Sequence, residues 1–298
     1  MTHALFIAAW VGCSTPAEPE LARAPDKAAA AAPTGPLELP GEGYNLLTAP
    51  AKVGDVTHTV EHLELAMDMI MRKPGQKAHT LKLVQATDHD YKRRVTAVDG
   101  AGEIEGYRIL VKKSMDTEKS KFPGESWKTE TTELPLHGVS FTAKWGDFGW
   151  RYELDDGKAT GHQAALFDYF GLLFGTMRLP PHKVQPGDTW SLSPSEVKAL
   201  FSGPGEEMEG SVEYRFDSLD EYQGHPVAVL KFEAVLEGKG LDGDLKFVLD
   251  GAEYRSTEGL GTLLFEASGP MEVTGMPKER GYAVGVTGKT TFKVTVTH

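Results

Sequence analysis

From Tyr44 onward, apolar and polar residues alternate along much of the chain. Val212, Tyr214 and Phe216 alternate with Glu213 and Arg215. Ala228, Leu230, Phe232, Ala234 and Leu236 keep a two-residue period against Lys231 and Glu233, and Phe292, Val294 and Val296 do the same against Lys293, Thr295 and Thr297. A period of two with one polar face belongs to half-buried antiparallel sheet. Asp-Gly pairs at 99–100, 156–157 and 250–251 read as turns between such runs. The pattern predicts a mainly β (β-rich α+β) fold, with about ten to fourteen strands in curved antiparallel sheets.

Two segments break the alternation. His162–Met177 carries Phe167, Phe170 and Phe174 on one stripe with Leu166 and Leu173 beside it, and Asp168 is its only acidic or basic residue. A helix apolar almost all round is a buried one. Gly171 and Gly175 weaken this helix, and it stops before Pro180-Pro181. Ser193-Pro194-Ser195-Glu196 reads as the start of a short helix running through Val197–Phe201. Ser193 is placed at the N-cap, Pro194 at the first helical position, and Glu196 completes a capping box.

The first 43 residues have another character. Ala4–Gly12 is a short apolar stretch, followed at once by Cys13, the chain's one cysteine. Ser14–Pro36 then holds 8 Ala and 5 Pro in 23 residues, with no apolar periodicity. Such a composition cannot bury enough surface to offset ordering entropy, and it reads as a tether. About 30 such residues span roughly 30 Å r.m.s. as a coil, or near 90 Å as polyproline II.

This order of apolar run, Gly12, Cys13 and Ala/Pro tether resembles a bacterial lipoprotein signal with its lipobox. The resemblance implies that Gly12 precedes the cut and that Cys13 becomes the acylated N-terminus, a membrane anchor through its acyl chains. Trp10 stands where Leu is usual in that family, and Met1–His3 contains no Lys or Arg. Ser14 rather than Asp after the cysteine implies the outer membrane, facing the periplasm or the cell surface.

A weak internal repeat is also visible. Lys52-Val53-Gly54-Asp55-Val56-Thr57 resembles Val184-Gln185-Pro186-Gly187-Asp188-Thr189, and Glu103–Val111 resembles Glu221–Val229. Gly-Asp before a strand is also ordinary turn chemistry, so the similarity reads either as two related halves or as coincidence. The organisation expected is a signal peptide at 1–12, the acylated cysteine and tether at 13–43, and two β-rich halves at 44–183 and 184–298. Past the tether, Gly187-Asp188-Thr189-Trp190 resembles the mid-chain turn of uncharacterised bacterial envelope lipoproteins, whose implied body is sheet-rich. A more distant architectural likeness is to the open half-barrels of LolA-type lipoprotein carriers, which enclose a hydrophobic cavity.

Composition narrows the classes. With 31 Lys+Arg against 43 Asp+Glu and a net charge of -12, the chain lacks the cationic surplus of a nucleic-acid binder. The acidity is uneven: residues 44–186 are neutral, whereas residues 187–298 carry 10 basic against 19 acidic side chains. One cysteine excludes a disulfide framework and a Cys-rich metal site.

Candidate chemistry is sparse. Nine of the 27 aromatics fall within residues 141–174, enough to mark that stretch as either a ligand cavity or a large-residue core. Phe141, Trp145, Phe148, Trp150, Phe167, Phe170 and Phe174 are the candidate cavity residues. Met67, Met69 and Met71 alternate on one strand face, as a greasy site or as core filler.

His58 and His62 are spaced for one face, but on a strand they stand ~13 Å apart, too far for a shared metal. Asp88-His89-Asp90, followed by Lys92-Arg93-Arg94, reads as a charged hairpin turn. The sequence has no G-x-S-x-G elbow, HExxH motif, P-loop or dinucleotide fingerprint. The expectation is a non-enzymatic, lipid-anchored envelope protein, without metal or cofactor, that binds a hydrophobic small molecule or another envelope component. A periplasmic hydrolase with a site assembled across the fold, or a purely structural lipoprotein, is the alternative.

Overall fold

The computed structural model describes residues 43–72, 77–146, 149–172, 179–180, 182–201, 207–240, 243–274 and 283–298. In chain order the elements are β1 (Val56–Arg72), β2 (His79–Val98), β3 (Ile104–Lys121), β4 (Lys128–Glu133), β5 (Ser140–Gly146), β6 (Gly149–Leu154), α1 (Gly161–Leu172), β7 (Thr189–Ser191), α2 (Pro194–Phe201), β8 (Glu207–Tyr222), β9 (His225–Gly240), β10 (Gly243–Ser256), β11 (Thr262–Thr274) and β12 (Ala283–Thr297).

The strands form one open antiparallel sheet in the order β6-β5-β3-β2-β1-β12-β11-β10-β9-β8-β7, with β4 added beside the far half of β3. Two meanders, β1–β6 and β7–β12, meet where the first strand pairs with the last. That contact runs from His58 opposite Thr297 to Arg72 opposite Ala283. The strand-period segments read from sequence fall in β8, β9 and β12, and the fold is mainly β as expected. No described helix is long and apolar enough to cross a membrane.

One face of the sheet carries the core. In the β7–β12 half this is a cluster that includes Val212, Tyr214, Phe216, Leu230, Phe232, Phe265 and Val294, and it draws Leu46 and Val184 in from the loops. In the β1–β6 half a smaller cluster joins Tyr91, Ile109, Val111, Leu136, Phe141, Ala143 and Phe167.

The two Gly-Asp turns are built alike. Lys52 N donates to Asp55 Oδ2 at 2.8 Å, and Gln185 N donates to Asp188 Oδ2 at 2.8 Å. Gly54 and Gly187 both sit at φ +100°, a conformation that costs glycine little. Gly54 N donates to Val95 O on β2, and Gly187 N donates to Phe216 O on β8. Each turn therefore docks the start of its half onto the neighbouring strand by the same hydrogen bonds.

Residues 44–51 run across the sheet end from one half to the other. Tyr44 exchanges backbone hydrogen bonds with Val184, Ala49 N donates to Gly259 O, and Ala51 N donates to Gly102 O. Arg255 fastens this strap from beneath. Its Nε donates to Leu46 O at 2.6 Å and one terminal nitrogen to Thr48 Oγ1 at 3.0 Å, while the other reaches Glu253 Oε1 at 2.9 Å. Arg255 and Glu253 are both buried.

Three expectations are corrected. Asp88-His89-Asp90 is not a turn; it lies inside the 20-residue β2, with Asp88 and Asp90 on the outer face and His89 on the inner one. Asp250-Gly251 is not a turn either, being mid-strand in β10. A Cβ on Gly251 would run into the Phe232 ring, so glycine serves packing there rather than chain reversal. The long helix is α1, Gly161–Leu172, rather than an all-round buried rod from 162 to 177: its His162 and Ala164 are exposed while Phe167 is buried, and 173–177 lie outside the described residues. The short helix α2 has its expected capping box, with Ser193 N donating to Glu196 Oε2 at 2.7 Å.

Candidate functional site

Five aromatic rings make a ladder across the core face of the β7–β12 half. Trp190 on β7 stacks on Tyr214 of β8, the rings 7° from parallel and 5.5 Å apart. Tyr214 meets Phe232 of β9 at 5.3 Å, Phe232 stacks on Phe265 of β11 at 5.1 Å, and Phe265 meets Phe292 of β12 edge-on at 5.7 Å. Phe232 and Phe265 lie on strands separated by β10. Gly251 is the β10 residue opposite Phe232, and its missing side chain is what lets the two rings meet. Offset and edge-on aromatic pairs add ~0.5–1.5 kcal/mol each beyond their burial.

The ladder's first ring opens into a cleft of about 630 Å³. It is lined by Leu179, Pro180, Val184 and Trp190 together with His182, Asp188, Thr189, Ser191 and Glu196. The lining is mixed, with at least as much polar as apolar surface, and the cleft is open to solvent. Two of the carboxylates also hold the frame: Asp188 closes the Gly-Asp turn, and Glu196 caps α2. The Trp190 Nε1–H is itself buried and has no hydrogen-bond acceptor among the described residues.

A polar row crosses the core face of the other half. Glu61 on β1 stands opposite His89 on β2, and His89 stands opposite Ser114 on β3. Directly paired residues share a face, and all three are buried. Tyr91, one step along β2, donates to Glu61 Oε1 at 2.6 Å. Burial pushes the Tyr91 phenol well above its usual range, helped by the Glu61 charge, and pushes the His89 imidazole down to about 4. Nearby on the same face, burial raises the carboxyl of Asp116, which accepts from Gln85 and Thr87, and that of Glu118.

On the outer face His58 and His62 go to separate aspartates. His58 Nε2 lies 2.8 Å from Asp90 Oδ1, and His62 Nδ1 lies 2.7 Å from Asp88 Oδ1. Burial tends to raise Asp88, but hydrogen bonds from His62 and Lys113 outweigh it and hold the carboxyl low. These are part-exposed His–Asp hydrogen bonds with solvent beside them. No group of three metal-binding side chains is assembled among the described residues.

The candidate aromatic cavity is brought together only in part. Phe141 and Phe167 are buried against each other at 4.8 Å, with Tyr152 stacked on Phe167 at 5.2 Å. Trp150 lies against Tyr107, and Trp145 meets Trp150 edge-on at the rim, 56% exposed. Phe148 and Phe174 lie outside the described residues, as does Cys13; Phe170 belongs to α1, with its side chain outside the description. The ladder was not singled out from sequence, because 24, 18, 33 and 27 positions separate its successive rings and only register joins them. The one local signal was Gly187-Asp188-Thr189-Trp190, which now lines the cleft.

No protein-family model matches the chain, and no curated protein does. Among solved structures, one of lipovitellin, described in terms of its lipid–protein interactions, aligns with 82% of this chain at 8% identity and a TM-score of 0.43. The chain spans 25% of the length of that lipovitellin chain.

Proposed function

We propose that this is a lipid-anchored protein of the bacterial envelope that binds a hydrophobic ligand, without catalysing its conversion. Acylated Cys13 is the anchor in this reading, residues 14–43 are the tether, and the open sheet is the binding body at the outer membrane. The observation that carries the binding role is the cleft at Trp190, where the end of the aromatic ladder meets a lining of mixed apolar and polar side chains. That layout suits an amphipathic molecule, with its apolar body against Leu179, Val184 and Trp190 and its polar end at Asp188, Thr189 and Ser191.

The anchor and the cleft are tested separately. Mass spectrometry of protein purified from bacterial membranes should find an N-terminal, acylated Cys13; a chain starting upstream with a free thiol rejects the anchor. Titration with the fluorescent apolar probe N-phenyl-1-naphthylamine should give saturable binding that Trp190→Ala weakens on the order of tenfold, as expected for loss of a central aromatic anchor. Binding unaffected by Trp190→Ala rejects the cleft as the site.

A further inference from the structure

The hairpin between β3 and β4 ends in a tip of unusual composition for this acidic chain. Lys119-Ser120-Lys121-Phe122-Pro123-Gly124-Glu125-Ser126-Trp127-Lys128 carries three lysines and one acid around two large apolar side chains. Glu125 N donates to Phe122 O at 3.1 Å, and Gly124 has φ +84°. Pro at the second position and a left-handed Gly at the third make this a tight, preformed turn.

The turn holds its apolar residues out in solvent. Phe122 is 42% exposed and Trp127 is 40% exposed. Lys121 Nζ lies over the Trp127 ring, 6.0 Å from its centre. Lys121 is paired with Lys82 of β2, and Lys119 with Val84, so Lys82, Lys119 and Lys121 share the outer face. Glu118 and Glu130 stand on the opposite face, on the side of buried Gln85, whereas Asp68 of β1 pairs with Lys82 on the outer face and Glu125 in the turn lies 3.5 Å from Lys128. Lys119 and Lys121 are thus the outer-face cations beside Trp127, with Glu118 and Glu130 turned to the other face.

Trp prefers the membrane–water boundary, where its ring is half in apolar surroundings, and lysines beside it meet anionic headgroups. We propose that the β3–β4 tip is a membrane contact separate from Cys13, with Phe122 and Trp127 entering the interfacial layer of an anionic leaflet and Lys82, Lys119 and Lys121 bound to its headgroups. The charge complementarity argues for lipid over a protein partner. The rigid Pro-Gly turn means that docking orders little chain, so little of the binding free energy is lost to entropy.

The test uses the full chain carrying Cys13→Ser, which removes the acylation site, so the outcome does not depend on the anchor reading. Partition onto phosphatidylcholine vesicles with and without phosphatidylglycerol is measured by sedimentation, and Trp127 is reported by quenching from brominated acyl chains. Stronger partition on the anionic vesicles is expected, with a loss on the order of tenfold or more in Phe122→Ser/Trp127→Ser and in Lys119→Glu/Lys121→Glu. The quenching should fall in Trp127→Phe. All the substituted positions are at or near the exposed tip, and unchanged β-sheet circular dichroism confirms that each variant is folded. Partition that either double variant leaves unchanged, or that is equal on neutral and anionic vesicles, or quenching that persists in Trp127→Phe, overturns the proposal.

Discussion

The Tyr91 hydroxyl donates to Glu61 Oε1 at 2.6 Å across the β1–β2 ladder, and both side chains are buried, Glu61 to 1% exposure. A carboxylate placed in a sheet core depends on such donors, because a buried charge without hydrogen bonds is far costlier than a buried neutral group. Tyr91→Phe keeps the ring and removes only the donor. It should lower stability by ~1–3 kcal/mol, the cost of leaving a buried polar group without its partner. The check is a fall in the urea midpoint with an unchanged slope.

His89 gives the fold a pH dependence of known sign. Its folded value of about 4 lies below the ordinary 6.5, because burial disfavours the imidazolium. Below pH 6.5 the unfolded chain takes up a proton that the folded chain refuses. The stabilisation is therefore full above about 6.5, declines as pH falls, and is lost by about 4, for a total of ~3 kcal/mol. His298 is also lowered by burial and adds to the slope, whereas Asp116 and Glu118 are raised by burial and oppose it at the acid end. Stability followed by urea unfolding should drop between pH 6.5 and 5, and His89→Gln should flatten that drop.

Arg255 joins a buried carboxylate to the N-terminal strap. Arg255→Met leaves buried Glu253 without its counter-charge, though the Thr262 hydroxyl still donates to it, and should cost ~3–5 kcal/mol. The double variant Glu253→Gln/Arg255→Met should recover part of that loss, because the stranded charge is gone. Both variants lose the bonds to Leu46 and Thr48, so limited proteolysis should cut within 44–51 in both and spare the parent.

Gly251 tests the aromatic ladder. A Cβ at this position meets the Phe232 ring and the Glu266 carbonyl oxygen. Gly251→Ala should destabilise by ~1–3 kcal/mol, the usual cost of overpacking. Because the displaced ring leads through Tyr214 to Trp190, the near-ultraviolet circular dichroism should change as well. An unaltered spectrum with full stability would show that the ladder tolerates a gap.

What could be read in advance follows from how burial is written along a strand. Residues 212–216, 228–236 and 292–296 have one apolar and one polar face, so their period shows directly. Asp88-His89-Asp90 hides the same period, because both faces of β2 are polar there. The outer aspartates are matched by His62, His58 and lysines, and the inner histidine is buried opposite Glu61 and Ser114. Asp250-Gly251 has turn chemistry in sequence, yet its glycine answers to a ring on the adjacent strand. The capping box of α2 was legible since all its partners lie within four residues. The cleft and the ladder were not, since their members meet only through the register of six strands.

The pairing of β1 with β12 also dictates an order of events. Thr297 hydroxyl reaches the His58 carbonyl at 3.4 Å across 239 residues of chain. During synthesis, β1 can pair with β2 long before its other neighbour exists. The middle of the sheet is therefore the last part to form, and until β12 emerges each meander presents an unpaired inner edge. Such an edge is a template for aggregation. Long-range closure of this kind is slow, so a chaperone that shields β1 or β11 in the interval would act at the most vulnerable point of the fold.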